Sequence, residues 1–201
     1  LYLRDCASCH GSEGQGSFRG TPLVDVGAAS AHFMLTTGRM PIRHLDEPVR
    51  RRPPAYSGPE INALVEFVAG LGDGPPVPRV DPDNGDLPRG GELYRLHCAP
   101  CHSSTGIGGA LAYGVIAPPV FPATPTEVAE SLIVGPGAMP TFAFDEEEVD
   151  AIVRYVRYLD DPPQPGGFPL GRMGRVDEGL VAWAVGTAGL VLAAVWVARR
   201  R

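Results

Sequence analysis

Residues 98–102 read CAPCH and residues 6–10 read CASCH, and these two runs decide the fold of the chain. In each run two cysteines are separated by two residues and followed at once by a histidine. On a helix, the two thiols lie about one turn apart and can reach the two vinyl groups of one haem, while the histidine faces its iron. The runs use all four cysteines of the chain. They therefore predict two covalently bound haems c.

The two CxxCH runs open two copies of one sequence unit. Each run is followed by a Met-Pro pair, at residues 40–41 and 139–140, and then by apolar residues at helical spacing. Ser57, with Glu60 three residues later, predicts a capping box at the start of the first of these helices. Two copies indicate a duplicated domain rather than a solenoid, which needs more repeats. We therefore predict an all-α fold with two haem domains and one further helix at the C-terminus.

The repeat also sets the predicted domain boundaries. Stretches rich in Gly, Pro and Asp separate the units, because such residues favour turns over regular elements. Residues 1–6 parallel residues 93–98, so we expect the chain to begin inside its first helix, with an export segment absent. The predicted segments are a first domain at 1–75 with an incomplete N-terminus, a linker at 76–88, a second domain at 89–162, a Pro/Gly stalk at 163–178, a transmembrane helix at 179–198 and a basic cytoplasmic tail at 199–201.

One histidine and one methionine are predicted to ligate each haem iron. His10 and His102 follow the attachment cysteines directly, and Met40 and Met139 lie further on, each before a proline in a glycine-containing loop. A His/Met pair fills both axial positions and raises the reduction potential, which favours electron transfer over ligand activation. Met34 has no counterpart in the second unit, and we interpret it as core packing.

Each ligand histidine needs a hydrogen-bond acceptor for its second ring nitrogen, because that bond fixes the ring and its tautomer. Pro22 and Pro118 lie in comparable Gly/Pro-rich loops after the two attachment runs. A backbone carbonyl at these positions is predicted to accept the bond.

The predicted sites of covalent haem attachment are Cys6, Cys9, Cys98 and Cys101.

Other uses of paired cysteines fit the pattern less well. Zinc ribbons carry CxxC pairs about 15–20 residues apart, whereas the pairs here begin at residues 6 and 98. A zinc site also does not explain a histidine after both pairs. A thioredoxin-like redox pair needs a βαβ context, which the pattern lacks. Structural disulfides also fit poorly, even in an exported protein. Each would close a single helical turn, and they would not explain the histidine after both pairs.

Composition and charge narrow the class of protein and its partners. The chain has 201 residues, of which 44% are hydrophobic and 20% charged, and this excludes an intrinsically disordered chain. Only 7% of residues are aromatic, while Gly and Pro number 26 and 22, so a loop-rich domain needs a bound group to fill its centre. The formal net charge is -6, which argues against nucleic acid as a partner.

Residues 179–198 form an uncharged stretch that is predicted to anchor the chain in a membrane. As a helix it is long enough to cross a hydrocarbon core of ~30 Å. Trp183 and Trp196 lie near its two ends, where aromatic belts form, and the arginines that follow mark the cytoplasmic end. We therefore expect a single-pass protein of the cell membrane, with its haem domains on the extracytoplasmic face and its C-terminus in the cytoplasm.

Both units resemble class I cytochrome c domains. The whole arrangement, two such domains and then one transmembrane helix, resembles the cytochrome cc subunit of actinobacterial menaquinol:cytochrome c reductase, the cytochrome bcc complex. The resemblance covers nearly the whole chain, and its motifs in this order are more specific than CxxCH alone. The stretches that carry it are residues 37–41 (TGRMP), 89–96 (RGGELYRL), 108–111 (GGAL), 164–168 (QPGGF) and 178–179 (EG).

The resemblance implies a function and a set of partners. In that family the subunit lies beside a cytochrome b and a Rieske iron–sulfur protein in a translocase-class quinol:cytochrome c reductase. That complex joins an aa3-type cytochrome oxidase in a bcc–aa3 supercomplex. Carried over to this chain, electrons pass from the Rieske centre to the haem of the first domain, then to the haem of the second, and on to the copper site of the oxidase. The chain itself would be an electron carrier without catalytic residues.

Two other functions stay open on the residues alone. A free-standing, membrane-tethered dihaem shuttle would use the same haem chemistry and would differ only in its partners. A dihaem peroxidase would need one iron open to its substrate, and the two matched Met-Pro loops argue against that.

Overall fold

The computed structural model describes residues 1–163 and 175–200, and within them the backbone is mostly helical, as expected for the all-α part of the prediction. Most of the predicted stalk, residues 164–174, lies outside the described residues, as does Arg201 of the predicted tail. The elements are α1 (Tyr2–Asp5), α2 (Ala7–His10), α3 (Gly27–Thr36), α4 (Gly58–Ala69), α5 (Leu87–His97), α6 (Ala99–His102), β1 (Gly109–Ala110), a 3-10 turn (Ala112–Gly114), β2 (Ile116–Ala117), α7 (Pro125–Val134), α8 (Glu146–Asp160) and α9 (Arg175–Arg199).

Backbone packing divides the chain into two compact units. Unit 1 comprises residues 1–90 and 123–154, and unit 2 comprises residues 91–122 with the described residues from 155 onward. These units follow spatial packing, whereas the domains predicted at 1–75 and 89–162 follow the sequence repeat, and those boundaries stay a prediction.

The core of unit 1 forms where α3 packs against α4. The Glu60 carboxylate accepts the Ser57 hydroxyl at 2.7 Å and the Ser57 N–H at 2.9 Å, so the predicted capping box at the start of α4 is confirmed. From this start the helix turns a row of apolar side chains inward, as its spacing requires. The buried side chains of this core cluster are Tyr2, Leu35, Ile61 and Leu64.

α7 also belongs to unit 1, where it packs against α3. It begins with a second capping box, in which Thr124 Oγ1 accepts the N–H of Glu127 and the Glu127 carboxylate accepts the N–H of Thr124. This box was not predicted from the sequence, although Pro125 at the first helical position favours a helix start. The packing of α7 buries two of its acidic side chains, Glu127 and Glu130.

Unit 2 holds the second attachment run between α5 and α6. Leu93 and Tyr94 of α5 are buried with Val156 of α8. The strands β1 and β2 form an antiparallel hairpin in which Gly109 lies opposite Ala117. This hairpin, which closes the loop after the second attachment run, was not predicted from the sequence.

α9 carries the predicted membrane segment. Its stretch Gly179–Arg199 has a mean hydropathy of 2.1, and the rest of the described chain covers none of its most apolar window. The full helix of 25 residues is about 37 Å long at 1.5 Å per residue, which exceeds the ~30 Å of a bilayer core. Its length and composition therefore fit a single membrane-spanning segment.

Candidate haem-binding sites

Each attachment run folds as one helical turn, in which the carbonyl of the first cysteine accepts two backbone N–H groups. In the first run the Cys6 carbonyl accepts the N–H of Cys9 at 3.1 Å and that of His10 at 2.9 Å. In the second run the equivalent bonds to the Cys98 carbonyl measure 3.1 and 2.8 Å. The four cysteines are free thiols without disulfides. The two thiols of each run are therefore one turn apart, with the histidine continuing the same turn.

The loop after the first run holds the His10 ring. Nδ1 of His10 lies 2.7 Å from the carbonyl oxygen of Thr21. The carbonyl can only accept, so Nδ1–H is the donor and the lone pair of Nε2 is left for iron. The acceptor lies in the predicted loop, but it is Thr21 and not Pro22. Thr21 precedes Pro22, whose ring restricts the residue before it to extended backbone.

The second unit anchors its histidine in the same way. Nδ1 of His102 lies 2.8 Å from the carbonyl oxygen of Pro118, the residue named from the sequence. Pro118 in turn precedes Pro119, so both acceptors stand immediately before a proline. Pro118 therefore corresponds to Thr21, one residue before the predicted Pro22.

A tyrosine hydroxyl fixes the far end of each run, which the sequence analysis did not predict. Tyr2 donates to the Gly11 carbonyl at 2.8 Å, and Tyr94 donates to the Ser103 carbonyl at 3.0 Å. Burial raises the pKa of both phenols, so they remain donors at neutral pH. The pattern could have been found, because each tyrosine lies four residues before the first cysteine of its run.

Glycines with positive φ complete the two histidine loops. The Gly16 N–H donates to the His10 carbonyl at 2.7 Å, and the Gly108 N–H donates to the His102 carbonyl at 3.0 Å. Their φ angles are +81° and +83°, a region that other residues rarely adopt. A Cβ on Gly108 would also overlap the Ala117 carbonyl oxygen. Both loops therefore need glycine at this point.

In unit 1 the predicted sixth ligand lies on the same core as the attachment run. Met40 and Cys6 both pack against the core cluster of Tyr2, Leu35, Ile61 and Leu64. The Met40 N–H donates to the carbonyl of Met34 at 3.0 Å, which ties the Met-Pro loop to the end of α3. The fold thus brings the thioether and the first attachment cysteine to one apolar surface.

The second predicted methionine falls in a different unit from its histidine. Met139 belongs to unit 1, where its N–H donates to the Pro136 carbonyl at 3.2 Å. His102 belongs to unit 2. Their assignment to one iron rests on the sequence repeat and stays a prediction.

Comparison with known proteins places these sites in a family. Residues 85–156 match the family model described as cytochrome c oxidase, cbb3-type, subunit III. The cytochrome bc1 complex cytochrome c subunit of Mycobacterium leprae is 37% identical over 213 positions, which cover 100% of this chain and 73% of the relative. The same subunit of Mycobacterium tuberculosis is 36% identical, with 76% of the relative covered, and that of Corynebacterium efficiens is 34% identical, with 75% covered.

The chain belongs to the family of cytochrome bc1 complex cytochrome c subunits. Its resemblance to the corresponding actinobacterial subunit, inferred from the sequence motifs, is confirmed. As a cytochrome c subunit it binds haem c covalently and acts in respiratory electron transfer. The apolar helix α9 fits a subunit with one membrane-spanning segment.

The residues of unit 1 fit a covalently bound haem. Cys6 and Cys9 offer two thiols one turn apart, His10 presents Nε2, and Met40 lies on the adjoining core. When bound, the haem would supply one-electron redox chemistry, and ligation by a histidine and a methionine would place its potential in the range of electron carriers. The protein's own contribution is to fix the imidazole through Thr21 and to pack Cys6 and Met40 against an apolar core.

Two of the attachment cysteines have altered thiol chemistry. Burial raises the pKa of the Cys98 thiol to about 11 and also raises that of Cys6. Both groups are therefore neutral thiols at neutral pH in the protein without haem.

Gly108→Ala is expected to destabilise the subunit and to loosen the His102 anchor. The left-handed backbone and the overlap with the hairpin together should cost roughly 2–5 kcal/mol. The measurement is urea unfolding of the purified haem protein in detergent, followed by the haem absorbance.

Gly114→Ala is the matched control, because Gly114 also has a positive φ, of +74°, but a Cβ added there would meet no atom of the described residues within 4 Å. It should cost only the backbone strain of about 1–2 kcal/mol. Equal losses of unfolding free energy in the two variants would show that Gly108 is needed only for its positive φ, and not for its contact with the hairpin beside the His102 loop.

Proposed function

We propose that this cytochrome c subunit holds two haems c and relays electrons from a Rieske iron–sulfur centre to the copper site of an aa3-type oxidase. The observation that carries the proposal is the repetition of one anchoring geometry in both units. Each CxxCH turn has its own histidine-to-carbonyl bond, its own tyrosine bond and its own glycine with positive φ. A chain that needed a single haem would have no use for the second set.

The proposed residues follow from the repeat and from the family. Electrons would enter at the haem held by the first run with Met40 as sixth ligand, and leave from the haem held by the second run with Met139. Both irons are saturated by a histidine and a methionine, which suits electron transfer and leaves no open position for a substrate. The order of the two haems comes from the family resemblance.

The proposed partners are a cytochrome b subunit and a Rieske subunit within a translocase-class reductase, with an aa3-type oxidase joined to it. The proposed topology places the haem-binding units on the extracytoplasmic face and the C-terminus in the cytoplasm. In support, the Arg200 guanidinium lies 4.0 Å from the centre of the Trp196 ring at the end of α9. An arginine and a tryptophan together suit the cytoplasmic interface of a membrane helix.

Gentle solubilisation followed by capture of a C-terminal tag tests the relay. We expect cytochrome b, a Rieske protein and an aa3-type oxidase to co-purify, and the preparation to reduce oxygen with menaquinol and without added cytochrome c. The physical reason is that a carrier tethered by one helix must stay within tunnelling reach of fixed partners.

Recovery of the dihaem chain alone under several mild detergents would overturn the relay and favour a free-standing tethered shuttle. Carbon monoxide binding to the reduced protein would instead reveal an open iron and favour a peroxidase. A first haem found closer to the oxidase copper than the second would reverse the proposed order.

A further inference from the structure

Glu130 is a buried carboxyl group that is not one of the predicted haem-binding residues. It lies on α7, and its side chain is 0% exposed. Nδ1 of His32, on α3, lies 2.6 Å from its Oε1. Neither Glu130 oxygen receives a well-directed hydrogen bond from any described residue. An uncompensated carboxylate in such a place costs several kcal/mol, so buried groups of this kind hold a proton instead.

The second buried carboxylate of α7 is satisfied in a different way. Arg51 Nη2 lies 2.9 and 3.3 Å from the two oxygens of Glu127, and the Thr124 N–H donates to one of them. The positive charge of Arg51 is therefore committed to Glu127. Glu127 remains a negative neighbour of Glu130, one turn away on the same helix.

The loop between α3 and α4 places a second arginine, Arg39, near Glu127. The Arg39 guanidinium lies 4.7 Å from the centre of the Phe33 ring and close to both Arg51 and Glu127. Its Nη1 is buried without a hydrogen-bond partner among the described residues. Glu127 is thus the charged group that acts on both His32 and Glu130, and Arg51 and Arg39 lie close to Glu127.

The pKa values of His32 and Glu130 are shifted in opposite directions. Burial, and then the charge of Glu127, raises the pKa of Glu130 to about 8. Burial lowers the pKa of His32, although Glu127 opposes that shift. Both changes favour a neutral imidazole beside a protonated carboxyl. The protonation of Glu130 therefore responds to any charge that is added nearby.

α3 connects the pair to the loop of the predicted methionine ligand. His32 lies on α3 two residues before Met34, and the Met34 carbonyl accepts the N–H of Met40 at 3.0 Å and that of Arg39 at 2.9 Å. The helix that carries His32 is therefore hydrogen-bonded directly to the segment that carries Met40. Charge in unit 1 can act on the pair through the protein, where the dielectric constant is lower than in water.

We propose that the His32–Glu130 pair is a proton-binding site linked to electron transfer in unit 1. When unit 1 gains one electron from its donor, pairs that lack a proton take one from water onto the Glu130 carboxylate. When the electron leaves, the proton is released. The added negative charge of the electron is thereby balanced within the unit, since it increases the proton affinity of a nearby acid. The proposal depends on the proposed relay function in one respect, which is that the relay supplies the electron to unit 1.

Equilibrium redox titration of the purified haem protein across pH 6 to 10, a range that brackets the pKa of about 8, tests the proposal without any partner. Uptake of a proton on reduction makes reduction harder as protons become scarce. One midpoint potential should therefore fall as pH rises through and above about 8. The redox-induced infrared difference spectrum should also contain the C=O stretch of a protonated carboxyl.

Glu130→Gln should flatten that pH dependence and remove the carboxyl band. Glutamine matches the shape of a protonated glutamate, so this variant should fold. His32→Gln is a second variant, which leaves Glu130 without its basic neighbour and should move the pH-dependent region. Glu66→Gln, which removes an exposed carboxylate from α4 of the same unit, should change neither readout.

A wild-type protein with no pH dependence, or a Glu130→Gln variant that keeps it, would overturn the proposal. A failure of the partners to co-purify would affect the relay alone and would leave this result unchanged.

Discussion

Replacing Cys98 and Cys101 together by alanine is expected to halve the covalently bound haem, from two per chain to one. The two thiols of a run are proposed to form the thioether bonds to one haem, and the second run lies in a unit that folds its own anchoring loop around His102. Loss of that haem should abolish electron flow from menaquinol to oxygen, because the path is broken. The haem content per chain is measured from the absorbance of the pyridine complex in alkali.

The reciprocal pair, Cys6→Ala with Cys9→Ala, should give the same count and the same loss of turnover. Ser8→Ala is the matched control, since Ser8 lies between the two cysteines and its hydroxyl makes only a long contact of 3.9 Å with the Cys9 sulfur. It should retain two haems and full activity. A wild-type chain with one haem, or a double variant that retains two, would contradict the proposed count.

The parts of each site that are local in the chain could be predicted from the sequence. The CxxCH turn and the Ser57 capping box depend on residues within four positions of one another, and both appear as expected. The acceptor of His10 was misassigned by one residue, because the repeat was aligned on prolines instead of on the carbonyl before them. A register error of this size cannot be corrected without the path of the backbone.

Contacts between distant segments could not be predicted. Nothing local indicates that α7 packs against α3, so the meeting of His32 with Glu130 was missed. No motif in the sequence singles out His32 or Glu130. Burial changes the chemistry of both groups, and burial depends on packing that pattern analysis does not resolve.

The apolar helix α9 was the easiest element to predict, and the reason is physical. A membrane segment needs only length and apolar composition, because the bilayer replaces the packing partner. The predicted bounds of 179–198 agree with the apolar stretch Gly179–Arg199 to within one residue. The haem-binding units need specific tertiary contacts as well, and their boundaries were correspondingly harder to define.

Met40→His and Met139→His are each expected to lower the reduction potential of one haem and to leave the other nearly unchanged. A thioether stabilises reduced iron more than a second imidazole does, and axial ligands set haem potentials over a range of ~0.8 V. We expect a fall on the order of a few tenths of a volt within that range. Spectroelectrochemical titration of the purified chain resolves the two transitions and assigns one to each methionine.

Met34→Leu provides the control, because Met34 is a methionine of the same unit that lies in α3 and is tied to the Met40 loop through its backbone carbonyl. Leucine keeps its bulk and its helical preference, so both potentials should stay within the error of the wild type. If Met34→Leu shifts a potential while Met40→His does not, the sixth ligand in unit 1 is misassigned. If Met139→His shifts neither transition, the iron held by His102 takes its sixth ligand from elsewhere, and the parallel between the two halves of the chain ends at the attachment run.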